Sequence, residues 1–220
     1  MRNGFACLFY GKPGTGKTET VNQIAKMTGR DIMFVDISET KSCWFGESEK
    51  LIKNVFVKYR QYVKTNNPAP ILLFNEADGV IGKRRDISRG NGLQTENAIQ
   101  NIILQEMEAL DGIMIATTNL ADNLDPAFER RFIFKIEFNS PTIMARKAIW
   151  KSQLSELNDK DAEILAKTFD FSGGQIENIA RKRIIDSVIN NGKIDLETIQ
   201  EYCMNEKLDK GKKISIGFKW

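Results

Sequence analysis

Apolar residues along the chain fall into two patterns, short continuous runs and stripes at helical spacing. Phe5–Tyr10, 32–37, Ile71–Phe74, 113–117 and 133–138 are short runs rich in β-branched and aromatic residues, and they predict five strands. Between them lie Val21, Ile24 and Ala25, then Leu51, Ile52, Val55, Phe56 and Tyr59, then Ile99, Ile102, Ile103, Met107 and Leu110. Each set recurs at helical spacing and predicts a helix with one buried face. Gly29 is suited to cap the first helix, and Asp111-Gly112 closes the third. Two strands joined by a helix imply a parallel βαβ unit, so the class is α/β. After Pro141 the pattern changes, with helical stripes at roughly 142–155, 159–168, 174–190 and 195–206 and no further strand run. No internal repeat is present.

The first strand runs straight into Gly11-Lys12-Pro13-Gly14-Thr15-Gly16-Lys17-Thr18, which fits the phosphate-loop pattern in its required context between strand and helix. Each residue type has a chemical reason. Glycines let successive N–H groups turn inward toward phosphate oxygens, and the helix start adds partial positive charge. Lys17 is suited to reach the β- and γ-phosphates, and the Thr18 hydroxyl is an oxygen ligand for Mg²⁺. The ligand implied is a nucleoside triphosphate.

Composition narrows the picture further. The chain of 220 residues is 41% hydrophobic, enough for a core of one domain or two small ones. Its net charge of +3, from 32 basic and 29 acidic residues, does not call for nucleic acid or an anionic membrane. Cys7, Cys43 and Cys203 are odd in number and widely spaced, and histidine is absent, which points to a reducing compartment without a zinc site. The N-terminal apolar run is too short for a signal core or a membrane span, so a cytoplasmic protein is expected. Because Met1-Arg2-Asn3-Gly4 leads at once into the first strand, the sequence reads as a module of a longer protein.

Four further stretches carry candidate chemistry. Asn75-Glu76-Ala77-Asp78 follows a strand that is apolar throughout, where α/β sheets hold their ligands, and Asp78 is also suited to cap a helix. Asn119 stands just past the fourth strand. Ser42-Cys43-Trp44-Phe45-Gly46 carries two large aromatics, read alone as core packing. Arg130 and Arg131 precede the fifth strand, read alone as surface ion pairing. The basic loop with Lys83, Arg84, Arg85 and Arg89 lacks interleaved aromatics and reads as solvated rather than as a nucleic-acid patch.

Taken in order, these motifs resemble the AAA+ ATPases over nearly the whole chain. By that resemblance, residues 1–140 form a nucleotide-binding domain, a five-stranded parallel αβα sandwich. Residues 141–206 form a small helical lid, and 207–220 a basic tail. The resemblance assigns ATP contacts to Gly11, Pro13, Gly14, Thr15, Gly16, Lys17, Thr18 and Glu19, with Thr18 and Asn75 serving Mg²⁺, the latter through water. Glu76 would polarise the attacking water and Asn119 would hold it in line. Arg131, or Arg130 as second choice, would act as a finger across a subunit interface. Trp44 and Phe45 resemble the first pore loop of protein-remodelling members. The implied assembly is a homo-oligomeric ring, a hexamer by preference, acting on a protein substrate without a membrane partner.

Two departures from the family pattern stand out. Asn75 occupies the position of the usual aspartate, and Ser172-Gly173-Gly174-Gln175 lies where many members carry a sensor-2 arginine, so no sensor-2 residue is assigned. That stretch also resembles the signature of ABC-transporter ATPases, but it lies downstream of the Asn75-Glu76 strand and no switch histidine follows. Two alternatives keep the family and change the role. One is a DNA-associated loader or transposition helper, disfavoured by the Trp-Phe pair. The other is a weakly hydrolysing ATP switch or scaffold, kept open by Asn75.

Overall fold

The computed structural model describes residues 4–36, 47–83, 91–190 and 195–206. The aromatic pair Trp44 and Phe45, Cys43, the arginines of the basic loop and the tail from residue 207 lie outside the described residues.

Five parallel strands form one sheet in the order β2-β3-β4-β1-β5. They are β1 (Phe5–Gly11), β2 (Ile32–Asp36), β3 (Ile71–Asn75), β4 (Ile113–Thr118) and β5 (Phe134–Phe138). The expected five-stranded parallel sandwich is therefore found. Helix α1 (Lys17–Thr28) packs on one face, with Val21 and Ala25 against Ile71, Leu73 and Ile115. On the other face α2 (Glu47–Thr65) and α4 (Asn91–Glu108) bring Ile52, Phe56, Tyr59 and Ile103 against Leu72 and Phe74. Alternate residues of β3 thus point to opposite apolar layers, which is why its run of four apolar residues has no polar face. Helix α3 (Asp78–Ile81) and helix α5 (Pro126–Glu129) are single turns.

Several details depart from the sequence pattern. Helix α4 begins at Asn91, eight residues before Ile99, the first position of its apolar stripe, and Leu51 faces solvent while Ser48 of the same helix is buried. The fifth run is an edge strand, and Ile133, Phe134 and Ile136 are exposed. Periodicity gives a strand but not its place in the sheet.

The chain divides into two compact units after Asn139. The second holds α6 (Ile143–Gln153), α7 (Asp159–Thr168), α8 (Gly173–Asn190) and α9 (Leu196–Glu206). Its core is Trp150, Leu165, Phe171, Ile176, Ile179 and Ile199, all essentially inaccessible to solvent. Arg146 is buried there, its guanidinium donating to the Ala166 and Pro141 carbonyls and to the Asp170 carboxylate. The Ser172–Gln175 stretch is a capping box at the start of α8. Gln175 Oε1 accepts from the Ser172 N–H at 3.0 Å, and Ser172 Oγ accepts from the Gln175 N–H at 3.4 Å. Its sequence is accounted for by helix initiation.

Candidate active site

The carboxyl ends of β1, β3 and β4 meet at one level, because Phe74 pairs with Ala116 and Thr117 with Phe9. From β1 the chain enters the phosphate loop, where Gly11, Gly14 and Gly16 all have positive φ, at 142°, 74° and 93°. Gly11 has a further reason to be glycine, since a Cβ there would collide with the Phe138 carbonyl of β5. Around Gly16 the space a Cβ would occupy is open. Helix α1 then starts at Lys17, with Glu19 in its first turn bonded to Gln23 at 2.6 Å. Thr15 Oγ1 donates to the Lys12 carbonyl at 2.8 Å, while Pro13 and Gly14 lie exposed at the loop's outer bend.

Lys17 is only 7% exposed, and its ammonium donates to the carbonyls of Gly11 and Lys12, both at 2.8 Å. Burial draws its pKa below the ordinary lysine value, opposed by the carboxylates of Asp78 and Glu76. Among the described residues no carboxylate lies within ion-pair distance of it. A cation held near the loop by neutral carbonyls retains its charge for an anion.

Across the loop, Thr18 Oγ1 donates to Asn75 Oδ1 at 2.7 Å. The same amide oxygen accepts from Thr117 Oγ1 at 3.1 Å, and Thr117 Oγ1 accepts from the Glu76 N–H at 2.9 Å. Glu76 is the one non-glycine residue with positive φ among the described residues, at 49°, and its side chain is exposed. Such a conformation costs of order 1–3 kcal/mol and marks sites where a side chain must be aimed. The Ala77 N–H, bonded to the Thr117 carbonyl at 2.8 Å, helps to hold it.

Asp78 does not cap a helix, contrary to one reading of its sequence. The cap position is Ala77, without a side-chain bond, and Asp78 Oδ1 instead accepts from the Thr118 hydroxyl and, at 3.1 Å, from the Asn119 N–H. Asp78 therefore ties the turn after β3 to the end of β4, which bears Asn119. Thr117 and Thr118, 1% and 2% exposed, had no role of their own in the sequence reading, and Asp78 had only the capping one. The available signal was a pair of hydroxyls at the end of an otherwise apolar strand.

The two arginines separate clearly. Arg131 donates to the Ala127 carbonyl at 2.8 Å and forms an ion pair with Glu108 at the end of α4. Arg130, the C-cap of α5, is exposed, and its side chain makes no hydrogen bond or ion pair among the described residues. Neither arginine bonds to the strand-end cluster of Thr18, Asn75, Glu76, Thr117, Thr118, Asp78 and Asn119.

The donor set suits a Mg²⁺-bound nucleotide. Hydroxyl and amide oxygens at Thr18 and Asn75 match a hard cation, and the open space at Gly16 leaves room for phosphate oxygens beside the helix start. No helix among the described residues is long and apolar enough to cross a membrane.

The chain is also similar to known proteins. The family model described as the ATPase family associated with various cellular activities (AAA) matches residues 7–140. Vacuolar protein sorting-associated protein 4B of Mus musculus is 32% identical over 192 residues, covering 82% of this chain and 41% of that protein. Protein SUPPRESSOR OF K(+) TRANSPORT GROWTH DEFECT 1 of Arabidopsis thaliana is 31% identical, covering 83% of this chain and 42% of its own length. Protein CdcH of Halobacterium salinarum is 31% identical over 82% of this chain and 25% of its own length. The chain thus spans well under half the length of these relatives. Matched by the family model over most of its length and by these relatives over four fifths of it, the chain belongs to the AAA family of ATPases, which are ATP-hydrolysing enzymes.

Proposed function

We propose that this chain binds Mg-ATP at the carboxyl ends of β1, β3 and β4 and hydrolyses it within a ring of its own copies to remodel a protein partner. The observation that carries the reading is the Thr18–Asn75 bond, which joins the phosphate loop to the strand end beside an exposed, left-handed Glu76. Lys17 and the loop N–H groups bind the phosphates. Glu76 accepts the proton of the attacking water, and Asn119 orients that water. Mg²⁺, when bound with the nucleotide, supplies positive charge that neutralises the β- and γ-oxygens.

Arg130 is the arginine we assign across the interface, with Arg131 second. An exposed guanidinium without a partner among the described residues is available to a neighbour, whereas Arg131 is engaged by Glu108. The match to a vacuolar protein sorting-associated protein supports a protein partner over DNA. A cytoplasmic setting, a hexameric ring and a pore loop at Trp44 and Phe45 complete the reading. Asn75 favours a second, slower version of it, in which ATP binding outlasts turnover because the amide brings no charge to the metal shell.

Turnover measured against protein concentration, with mixtures of Arg130→Ala and Glu76→Gln chains, tests the ring. Activity per chain should rise with concentration, and the mixture should exceed both parents. Concentration-independent turnover with no recovery in any mixture would contradict catalysis between subunits.

A further inference from the structure

An amide and a carboxylate differ in a way that matters at Asn75. Either oxygen of a carboxylate accepts hydrogen bonds, so rotation by half a turn changes nothing. An amide has one accepting face and one donating face, and the wrong face toward Thr18 would force the Thr18 hydroxyl to accept instead of donate. That hydroxyl would then spend one of its two lone pairs on the amide and meet a cation with the other alone.

The network around Asn75 runs with a single polarity. It begins at the Glu76 N–H, which can only donate, and which donates to Thr117 Oγ1 at 2.9 Å. Thr117, buried between strands, passes its own proton to Asn75 Oδ1 at 3.1 Å, and Thr18 donates to the same oxygen at 2.7 Å. If the amide turned over, the proton of Thr117, itself 1% exposed, would face an NH₂ group in place of the acceptor it now has. The backbone N–H thus occupies one lone pair of the hydroxyl, and the remaining proton favours the oxygen face of the amide.

We propose that Thr117 is a positioning residue that locks the Asn75 amide with Oδ1 toward Thr18, leaving the Thr18 oxygen free to meet the metal. The proposal rests on the nucleotide-site reading above. It implies that Thr117 is needed because residue 75 is an amide, and that a carboxylate there would make it largely dispensable.

A double-mutant cycle isolates this, using Thr117→Val, with Thr117→Ala as the second variant should the valine chain not fold, each in the Asn75 and the Asn75→Asp backgrounds. In both backgrounds the Glu76 N–H loses its acceptor, so that shared effect cancels. In the Asn75 background, removing the hydroxyl should raise the Mg²⁺ concentration for half-maximal turnover about tenfold, with Thr117→Ser restoring it. In the Asn75→Asp background the shift should shrink to about twofold. A second readout needs neither metal nor nucleotide. The Asn75 side-chain NH₂ should give one sharp pair of ¹⁵N–¹H resonances in the native and Thr117→Ser chains, and exchange-broadened or doubled signals in Thr117→Val or Thr117→Ala. Equal shifts in the two backgrounds, or unchanged Asn75 resonances, would overturn the lock. Should the native chain bind no ATP, the nucleotide-site reading fails while the resonances still decide the lock.

Discussion

The two ends of the β3–β4 pair use the same device for different ends. At the amino end the Tyr59 hydroxyl, fully buried, accepts from the Ile113 N–H at 2.8 Å and lies within donating distance of the Ile113 and Pro70 carbonyls, at 2.9 and 3.0 Å. At the carboxyl end the Thr117 hydroxyl bridges the same two strands. Every partner of Tyr59 is backbone. Thr117 also accepts from one backbone group, the Glu76 N–H, but donates to the Asn75 side chain, whose oxygen accepts from Thr18 as well. A buried hydroxyl bonded to backbone holds a fold, whereas one bonded to side chains at the carboxyl end of a parallel sheet holds a site.

The sharpest separation should come from Lys17→Ala. It removes a charge held by two loop carbonyls and paired to no carboxylate among the described residues, so ATP affinity should fall at least about a hundredfold in a nucleotide-binding titration, while the melting temperature barely moves. A large loss of stability with intact affinity would place Lys17 on the structural side of the contrast.

Next in size is Asp78→Asn. The amide keeps a single accepting oxygen for Thr118 and Asn119 and brings no charge to either bond. Steady-state turnover should fall by about ten- to a hundredfold, because hydrogen bonds to charged groups are worth about 1.5–3 kcal/mol and Asn119 would lose its fixed position. Stability should drop by only about 1 kcal/mol, as read by denaturant titration.

Tyr59→Phe reverses the pattern. Loss of the buried hydroxyl should destabilise the chain by about 1–2 kcal/mol while turnover of the folded protein holds. Its titration supplies a second signature. Burial raises the Tyr59 pKa from 10.0 to about 12, so between those values the unfolded chain ionises at this residue and the folded one does not. The contribution is whole below pH 10 and is lost as pH rises through 12, a fall of about 2–3 kcal/mol. Urea unfolding across that window should show the loss in the native chain and lack it in Tyr59→Phe. Equal slopes would mean that Tyr59 is not buried as described.

The same comparison explains what the sequence made legible. The five runs, the helical stripes and the phosphate loop were readable because each is local, a period or a spacing within a few residues. Gly29 as a helix cap was readable for the same reason, and its φ of 64° agrees. Not legible were relations across strands. Thr117 meets Asn75 only because β3 and β4 pair in a given register, and nothing near either residue announces that pairing. Gly11 looked like a glycine for phosphate access, yet the nearby Phe138 carbonyl also demands it, and Gly112 is required by the approach of the Tyr59 hydroxyl. Asp78 shows the opposite error, a local rule for helix caps overridden by partners forty residues away. Arg130 and Arg131 are adjacent in sequence, so only Glu108 on another helix separates their roles.

The central claim, that this strand-end corner hydrolyses ATP through Glu76, is tested most directly by measuring ATP affinity and turnover side by side in native and Glu76→Gln chains. The amide cannot take the water's proton, so affinity should stay within about twofold while turnover falls by about 10²–10⁴. Native-like turnover in Glu76→Gln would contradict the account.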